Sequence, residues 1–264
     1  MGKRSQSAKG LTPKRRLDLL LVERGLATSR QQAQALVLAG KVRVAGQPAL
    51  KAGALVPAAV ALVVEAPPPF VSRGGQKLSP ALDVFELDVT GLVALDVGAS
   101  TGGFTDCLLQ RGASRVYALD VGYGQLDYRL RQDPRVVVLD RVNAHHPFAL
   151  PEAVDLATVD VSFISAAKVV PNVLPHLKEG GRLIVLLKPQ FEAGREQVGG
   201  GGIVRDPQVH AQVLGRFIVW AVERGLRLRG LIASPLRGAK GNREFLLLLQ
   251  DSAPGRGSVD LPTP

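Results

Sequence analysis

A glycine-rich segment at residues 92–104 constrains the fold of this 264-residue chain more than any other feature. A short apolar run ends at Asp96, and Gly98, Gly102 and Gly103 follow among small polar residues before a helical pattern begins. Glycine has no Cβ and tolerates positive φ, so a strand, a glycine turn and a helix in this order let the backbone approach a ligand closely. The segment predicts an α/β domain that binds a nucleoside-type ligand.

Apolar runs and helical patterns alternate over residues 71–251, which predicts a doubly wound, mostly parallel sheet. The run at residues 183–187 is continuously apolar, as expected for a strand buried on both faces. No helical pattern separates the last two predicted strands, so we expect that end of the sheet to be antiparallel. The predicted strands cover residues 93–97, 115–121, 136–139, 155–160, 183–188, 226–233 and 244–249. The predicted helices cover about residues 104–111, 125–131, 165–177 and 207–224, and helical spacing also follows Lys77.

Positive charge is concentrated at the start of the chain. The formal net charge is +10, and residues 1–66 account for +8 of it, with 11 Lys or Arg against 3 Asp or Glu. A segregated charge of this kind favours binding to a polyanion through phosphate contacts. A basic tail that only raises solubility is the alternative, and it accounts less well for the basic residues beyond residue 14.

Composition argues against several classes of protein. Cys107 is the only cysteine, which excludes an internal disulfide and a cysteine metal site, and we predict no metal. No apolar leader pattern is visible at the start of the sequence. The longest apolar stretch, residues 56–64, is far shorter than the roughly 20 residues that span a bilayer. The sequence predicts a cytoplasmic protein without a membrane partner.

The composition also divides the chain into two domains and two tails. Residues 1–14 are basic and poor in apolar side chains, and residues 252–264 are rich in Pro, Gly and Ser, so both are predicted to be disordered. Consecutive prolines within residues 66–70 predict a stiff linker. A small domain at residues 15–65 and a larger one at residues 71–251 remain.

The small domain is predicted to contain two helices followed by a basic hairpin. Leu17, Leu20 and Leu21 have helical spacing, Ser29 begins a second helix, and residues 41–44 alternate basic and apolar side chains. This arrangement resembles the αL-motif domain first described in a small-subunit ribosomal protein. The resemblance implies that the small domain binds RNA. The residues expected to do so are Arg15, Arg16, Arg30, Lys41 and Arg43.

The glycine spacing favours S-adenosylmethionine over a dinucleotide as the ligand, because it departs from the G-x-G-x-x-G pattern. Asp120 ends the second strand, where its carboxylate is placed to accept hydrogen bonds from both ribose hydroxyls; a cap or turn role is the alternative. Asp140 ends the third strand, where adenine contacts are usual in this fold, although an ordinary turn aspartate fits equally. The predicted cofactor site comprises Asp96, Gly98, Ser100, Thr101, Gly102, Gly103, Phe104, Asp120, Val121 and Asp140.

Four charged residues are expected to meet at the ligand crevice. Asp160 ends the fourth strand, Lys188 ends the fifth, Glu244 begins the last, and Lys77 precedes the first. The carboxyl ends of parallel strands line that crevice, and an antiparallel last strand begins at the same edge. Surface ion pairs are the alternative. They account poorly for Lys188, because a lysine directly after five apolar residues is unusual in a buried strand.

These four residues resemble the Lys-Asp-Lys-Glu set of FtsJ-type ribose 2′-O-methyltransferases. Residues 71–78, 98–104, 120–126, 160–165, 188–192 and 241–244 together resemble more specifically the TlyA (hemolysin-A) family. The resemblance implies a Rossmann-like class I methyltransferase sheet, S-adenosyl-L-methionine as cofactor, and catalytic roles for Lys77, Asp160, Lys188 and Glu244. It also implies that the substrate is a cytidine 2′-hydroxyl in ribosomal RNA or ribosomal subunits. The linker departs from the family pattern, since mycobacterial-type members have Arg-x-Trp-Val where this chain has residues 68–71.

Methyl transfer to a hydroxyl requires a positioned and polarised alcohol. We expect Lys188 to steer and polarise the 2′-hydroxyl and Asp160 to orient Lys188, while proximity supplies most of the rate. Phe163 and Phe191 are expected either to stack on a base or to pack under the crevice loops. A membrane-active hemolysin and a non-catalytic RNA-binding or ribosome-assembly factor are the alternative functions.

Overall fold

The structure, a computed structural model, describes residues 13–66, 68–238 and 240–252. The chain divides into an N-terminal unit, Met1–Pro68, and a C-terminal unit, Pro69–Pro264. The division falls within the proline-rich segment predicted to be a linker. The predicted tails lie almost entirely outside the described residues, but Lys14, assigned to the first tail, belongs to a strand.

The N-terminal unit contains the two predicted helices and small antiparallel sheets. Its elements are β1 (Lys14–Arg16), α1 (Leu17–Glu23), α2 (Arg30–Leu38), β2 (Val42–Val44), β3 (Gln47–Pro48), β4 (Leu55–Pro57) and β5 (Leu62–Val64). Ser29 caps α2 as predicted, since its hydroxyl accepts a hydrogen bond from the backbone N–H of Gln32 at 3.1 Å. The pairing of β1 with β4 was not predicted, because strands of three residues are too short to show a period of two.

A seven-stranded sheet forms the centre of the C-terminal unit, in the order β11-β12-β10-β9-β6-β7-β8. The strands are β6 (Val93–Val97), β7 (Arg115–Asp120), β8 (Val136–Asp140), β9 (Val154–Val159), β10 (Leu177–Leu187), β11 (Leu226–Ala233) and β12 (Phe245–Asp251). The helices are α3 (Arg73–Val84), α4 (Gly103–Gln110), α5 (Tyr128–Arg131), α6 (Ala166–Val173), α7 (Pro189–Glu192) and α8 (Pro207–Val222). Strands β8, β7, β6, β9 and β10 are parallel, and β12 is antiparallel to both β10 and β11. The predicted fold class is therefore confirmed.

Both faces of this sheet are buried, as the continuous apolar strands predicted. Along β10, Leu183, Val185 and Leu187 belong to one core cluster, whereas Ile184 and Leu186 belong to a second. Successive side chains of a strand point to opposite faces, so each cluster covers one face of the sheet. The sheet is thus a middle layer between two layers of helices.

Two predicted helices are shorter than expected. The helix predicted at residues 165–177 ends at Val173, and β10 begins at Leu177, six residues before the predicted start. A pair of glycines interrupts β10, and Gly180 has a φ of 69°. The register of β10 against β9 shifts at this point. The first residues of the strand therefore do not show an apolar pattern in the sequence. The helix predicted at residues 125–131 is limited to α5, whose N-cap is Asp127.

The topology brings several chain segments to one edge of the sheet. The parallel strands β6, β7, β8, β9 and β10 all end at this edge, and the antiparallel strand β12 begins there. Leu187, the last residue of β10, pairs with Phe245, the first residue of β12. Lys188 directly follows Leu187, and Glu244 directly precedes Phe245. The two residues therefore lie next to each other at the ends of adjacent strands.

Candidate active site

The glycine turn after β6 lies so close to neighbouring segments of the chain that side chains do not fit on its glycines. Gly98 has a φ of 83°, and a Cβ added to it would lie 2.5 Å from the carbonyl oxygen of Asp160. Gly102 has a φ of 91° and caps α4, and a Cβ at Gly103 would collide with the Ser72 hydroxyl. Neighbouring protein atoms therefore require glycine in this turn, which lies in contact with a predicted catalytic segment.

Asp96 supports this turn from beneath. Its carboxylate accepts hydrogen bonds from the backbone N–H and the hydroxyl of Thr105, at 2.9 and 2.7 Å, and from the hydroxyl of Thr158 at 2.9 Å. The side chain is fully buried, and burial raises the pKa of Asp96 to about 6. The expectation that Asp96 contacts the cofactor directly is corrected, because its carboxylate has no exposed surface and is engaged internally.

Two cavities open on the turn. The larger, of about 370 Å³, extends over the ends of β6, β7 and β9, and the smaller, of about 140 Å³, lies against the start of α4. Predicted cofactor residues on the larger cavity are Gly98, Ser100, Asp120 and Val121. Those on the smaller cavity are Gly98, Ser100, Thr101, Gly103 and Phe104. Most of the predicted cofactor set thus surrounds one continuous turn, with Gly102 packed behind it against Leu126 and Leu130.

Asp120 and Asp140 occupy different environments. Asp120 lines the larger cavity, and its two carboxylate oxygens accept hydrogen bonds from the backbone N–H groups of Ser100 and Gly122 at 2.8 and 2.7 Å. Each oxygen keeps a further lone pair, so ribose hydroxyls remain possible donors. Asp140 pairs with Arg131 at 2.9 Å, and the hydrogen bond from that guanidinium holds the pKa of Asp140 below its usual value.

Asp140 is absent from the residues that line the larger cavity, so the turn role fits it better than the adenine role. The segment that follows β8 lines the larger cavity instead. Its cavity-lining residues are Val142, Asn143, Ala144 and His145, none of which the sequence analysis assigned. Their position just beyond the third strand is the signal that points to them, because the crevice of a doubly wound sheet is lined by such segments.

The four predicted catalytic residues come together as two ion pairs. Lys77 Nζ lies 2.6 Å from Glu244 Oε2, and Lys188 Nζ lies 2.6 Å from Asp160 Oδ1. Lys77 and Lys188 are each 9% exposed and Glu244 is 3% exposed, so surface ion pairs do not describe them. Lys77 and Asp160, one member of each pair, line the same smaller cavity beside the glycine turn. The predicted convergence is therefore present in the structure.

Two polar residues that the sequence analysis did not single out hold this arrangement. The Ser162 hydroxyl accepts a hydrogen bond from Lys188 Nζ at 2.9 Å. Glu192 accepts hydrogen bonds from the Ser165 hydroxyl and from the backbone N–H of Ala166, the latter at 2.7 Å. Burial raises the pKa of Glu192 above its ordinary value. Glu192 thus joins the segment after β10 to the start of α6. Both residues lie within motifs already quoted, residues 160–165 and 188–192, which is the signal that points to them.

Phe163 and Phe191 contact each other with ring centroids 5.2 Å apart. Phe163 has a φ of 64°, is 91% exposed and lines the larger cavity, so it does not pack under the crevice loops. Its exposed ring is available for stacking.

The basic residues predicted to bind RNA form two groups in the N-terminal unit. Arg16 and Arg30 both pair with the buried carboxylate of Asp18 at 2.9 Å. The hydrogen bond from Arg16 holds the pKa of that carboxyl far below its usual range. Lys41 and Arg43 share Glu65, at 3.9 and 2.9 Å. The remaining member, Arg15, is exposed, and it forms no ion pair with any described residue. Four of the five cations predicted to bind RNA are thus already paired with a carboxylate, and their role in RNA binding stays a prediction.

Within the described part of the chain, no helix is long and apolar enough to cross a membrane. Over the same ranges, no group of three or more His, Cys, Asp or Glu side chains is arranged to hold a metal ion.

The fold and the site together define a class of protein. A family model described as FtsJ-like methyltransferase matches residues 70–251, and the S4 domain model matches residues 15–59. The chain thus joins an S4 domain to a Rossmann-like FtsJ-like methyltransferase domain.

Relatives narrow the class to a family. The chain is 49% identical over 239 residues to the 16S/23S rRNA (cytidine-2′-O)-methyltransferase TlyA of Mycobacterium tuberculosis, covering 89% of each chain. It is 47% identical over 256 residues to YqxC of Bacillus subtilis, provisionally named an rRNA methyltransferase, covering 94% of this chain and 90% of that one. A solved structure from Streptococcus thermophilus, provisionally named a hemolysin, is 42% identical with a TM-score of 0.69 and covers 96% of this chain and 93% of its own. The chain therefore belongs to the TlyA family of FtsJ-like methyltransferases.

Proposed function

We propose that this protein transfers the methyl group of S-adenosyl-L-methionine to a ribose 2′-hydroxyl of ribosomal RNA. The relative from Mycobacterium tuberculosis is named for methylation of cytidine in 16S and 23S rRNA, and cytidine is the proposed acceptor here as well. The observation that carries the proposal is the pair of buried ion pairs, Lys77–Glu244 and Lys188–Asp160, beside the glycine turn.

The cofactor site fits the family's cofactor. Gly98 and Ser100 of the glycine turn line both cavities, where a ligand can contact them. Asp120, with backbone donors on both oxygens, is the proposed partner of the ribose hydroxyls. Ser100, Thr101 and Phe104 are proposed to line the remainder of the site. When bound, S-adenosyl-L-methionine supplies an activated methyl group on its sulfonium.

The chain's own residues are proposed to position the acceptor. Lys188 is held at its Nζ by Asp160 and Ser162, so it presents one fixed cationic group to the 2′-hydroxyl. That group polarises the hydroxyl and orients its oxygen, the hydroxyl proton released on methylation is proposed to pass to solvent water, and proximity lowers the entropic part of the barrier. Lys77, which lines the smaller cavity, is paired with Glu244 at 2.6 Å. Two lysines are balanced by two carboxylates, so each cation in this site has a partner of opposite charge.

The N-terminal unit is proposed to bind the RNA. The proposed phosphate contacts are Arg15, Arg16, Arg30, Lys41 and Arg43. The proposed domain boundaries are residues 15–65 for this unit, 66–70 for the linker and 71–251 for the methyltransferase. Ribosomal RNA as the substrate supports a cytoplasmic site of action.

The test is methyl transfer with mapping of the product. Purified full-length protein is incubated with methyl-labelled S-adenosyl-L-methionine and, separately, with small subunits, large subunits and naked ribosomal RNA. We expect label on a cytidine ribose in at least one of the three. Lys188→Ala should remove transfer while it keeps cofactor binding, because Lys188 lines neither cofactor cavity. Absence of label from all three substrates with a cofactor-binding protein would contradict the proposal.

A membrane-active function is the second candidate, because the relative from Streptococcus thermophilus is named a hemolysin. Lysis of erythrocytes by the purified protein distinguishes it from methyl transfer. Lysis that persists in Lys188→Ala would favour the hemolysin reading. A ribosome-assembly factor without catalysis would instead bind subunits equally well as wild type and as Lys188→Ala, and would transfer no label.

A further inference from the structure

A basic cavity of about 420 Å³ lies in the C-terminal unit, outside the cofactor site. Three arginines, Arg205, Arg237 and Arg243, line it together with His210. Its other lining residues are Ile203, Val204, Pro207 and Gly241. None of these residues belongs to the cofactor set or to the two catalytic ion pairs.

The walls of this cavity are fixed by buried hydrogen bonds. Asn242 is 3% exposed, and its amide donates to the carbonyl of Gly202 at 2.8 Å and accepts from the backbone N–H of Val204 at 2.9 Å. His210 Nε2 lies 3.1 Å from the carbonyl of Val204, which ties the start of α8 to the same segment. The three arginines therefore extend from segments that are tied to one another.

The cavity carries positive charge without a matching carboxylate. Over residues 13–66, 68–238 and 240–252, neither Arg205 nor Arg243 forms an ion pair, and both are exposed. Arg237 donates to the carbonyl of Gly241 at 3.1 Å. Asp206 caps α8 through the backbone N–H of Gln208 and is not part of the lining.

Some of the arginines elsewhere in this unit are paired and others, such as Arg227, form no ion pair with any described residue. Those paired with a carboxylate are Arg111, Arg115, Arg129, Arg131 and Arg135. Like charges gathered without counter-charge repel one another, and an anion in the cavity relieves that repulsion.

The position of the cavity relative to the catalytic residues suggests which anion it binds. Arg243 directly precedes Glu244, the partner of Lys77, and Phe245 pairs with Leu187 next to Lys188. A ribose whose 2′-hydroxyl reaches Lys188 belongs to a strand whose neighbouring phosphates lie within one or two nucleotides. Guanidinium groups match phosphate oxygens through paired N–H donors.

We propose that this cavity binds a backbone phosphate of the substrate RNA next to the methylated nucleotide, and so aligns the strand across Lys188. The inference rests on the proposed function, because it takes the acceptor to be a ribose in an RNA strand. It gives the C-terminal unit an RNA contact of its own, in which the guanidinium groups of Arg205 and Arg243 are not already neutralised.

The test uses full-length protein with Arg205→Gln, Arg243→Gln and the double substitution. Arg227→Gln is the matched control: Arg227 is exposed, forms no ion pair with any described residue, and pairs in β11 with Gln250, at the opposite end of β12 from Glu244. Binding to naked ribosomal RNA and to ribosomal subunits that lack the modification is measured over a range of salt concentrations. Methyl transfer to the accepted substrate and cofactor affinity are measured in parallel.

The double variant is expected to reduce the slope of log affinity against log salt by about 0.7 to 0.9, since one phosphate contact contributes about 0.9 in duplexes and about 0.7 in single strands. Its KM for RNA should rise about tenfold, from the loss of charge-assisted hydrogen bonds, while kcat and cofactor affinity stay unchanged. Arg205→Lys with Arg243→Lys should keep the salt slope but not the full affinity, because lysine keeps the charge and loses the paired donors.

A salt slope and KM equal to those of Arg227→Gln would overturn the inference. A loss seen with subunits but absent with naked RNA would also overturn it, because an acidic protein segment would then be the occupant. The proposed function fails separately: the unsubstituted protein then transfers no label to any RNA, whereas the salt slope still reports whether the cavity contacts phosphate.

Discussion

The hydroxyl of Ser162 lies 2.9 Å from Nζ of Lys188, on the segment that also carries Asp160. Lys188 Nζ therefore has two fixed partners, and its 2.6 Å ion pair with Asp160 alone does not define its direction. A lysine side chain has several rotatable bonds, so a second contact restricts where its ammonium group points. Ser162 is a positioning residue for Lys188 by this geometry.

We expect Ser162→Ala to lower kcat about tenfold, because a hydrogen bond to a charged group is lost. The KM for RNA should change little, and cofactor affinity should fall less than the rate, because Ser162 lines the larger cavity but its hydroxyl contacts Lys188 Nζ. Ser162 is exposed, so the substitution leaves no buried cavity. Single-turnover methyl transfer gives the rate, and calorimetric titration gives the cofactor affinity. Ser162→Thr keeps the hydroxyl and should restore most of the rate. A rate for Ser162→Ala equal to that of the unsubstituted protein would remove this contact from the mechanism.

The buried pair of Lys77 and Glu244 should be costly to break from one side. Lys77→Met leaves the Glu244 carboxylate buried without its partner, and we expect the free energy of unfolding to fall by about 3 kcal/mol. The double variant Lys77→Met, Glu244→Gln should recover part of that loss, because no unpaired charge remains. Both should lack methyl transfer. Denaturant unfolding measures the stabilities.

Lys178 provides the control for this pair, because it forms an ion pair of 2.7 Å with Asp155 and is 47% exposed. Lys178→Met should cost less than about 1 kcal/mol, as is typical of exposed pairs. Equal losses at Lys77 and Lys178 would show that burial does not set the strength of the Lys77–Glu244 pair.

Asp96 should make stability depend on pH in an unusual direction for a carboxyl group. Its folded-state pKa of about 6 lies above the ordinary aspartate value, so the folded protein binds this proton more tightly than the unfolded chain does. The contribution of Asp96 to stability is therefore fully present below about pH 4 and is lost as pH rises through 6. Relative to Asp96→Asn, which does not titrate, the unsubstituted protein should gain roughly 2 kcal/mol between pH 7 and pH 4.5. A pH-independent difference in unfolding free energy between the two would contradict the raised pKa.

The cofactor role of Asp120 and the structural role of Asp140 make different predictions. Asp120→Ala should weaken binding of S-adenosyl-L-methionine at least tenfold, since it removes the acceptors for both ribose hydroxyls. Asp140→Ala breaks an ion pair with Arg131 outside the larger cavity, so its effect on binding should be several-fold smaller. Calorimetric titration measures both. Equal losses of cofactor affinity in the two variants would support a cofactor contact for Asp140.

The sequence predicts those parts of the molecule that periodicity and glycine spacing encode. The apolar run at residues 183–187 was enough to predict the buried strand, and the order of strands placed Asp160, Lys188 and Glu244 at one edge. The start of β10 could not be predicted, because Gly180 and its neighbour interrupt the pattern that a strand would show. Burial depends on neighbours that are distant in sequence, which is why Asp96 was taken for a contact residue.

Pairing across the fold is likewise invisible in the sequence. Arg16 and Arg30 were predicted to bind RNA from their charge and from the resemblance to the αL-motif domain, but both pair with the carboxylate of Asp18. The assignment of Asp140 was left open in the same way, and its ion pair with Arg131 favours the turn role. Charge can be read from a sequence, whereas the partners that neutralise it depend on the tertiary structure.

Gly98 should not tolerate even the methyl group of alanine, because that group would collide with the Asp160 segment. A control variant separates this collision from backbone strain. Gly98→Ala places a Cβ 2.5 Å from the carbonyl oxygen of Asp160, so either the turn or the Asp160 segment must move. We expect cofactor affinity to fall at least tenfold, together with methyl transfer, because both sites share this contact. Gly91 has a similar φ of 75° and no atom within 4 Å of an added Cβ, so Gly91→Ala carries the strain without the collision. It should lose about 1 kcal/mol of stability and bind the cofactor normally. If Gly98→Ala binds the cofactor as well as Gly91→Ala does, the close approach to Asp160 is not what requires glycine at this position.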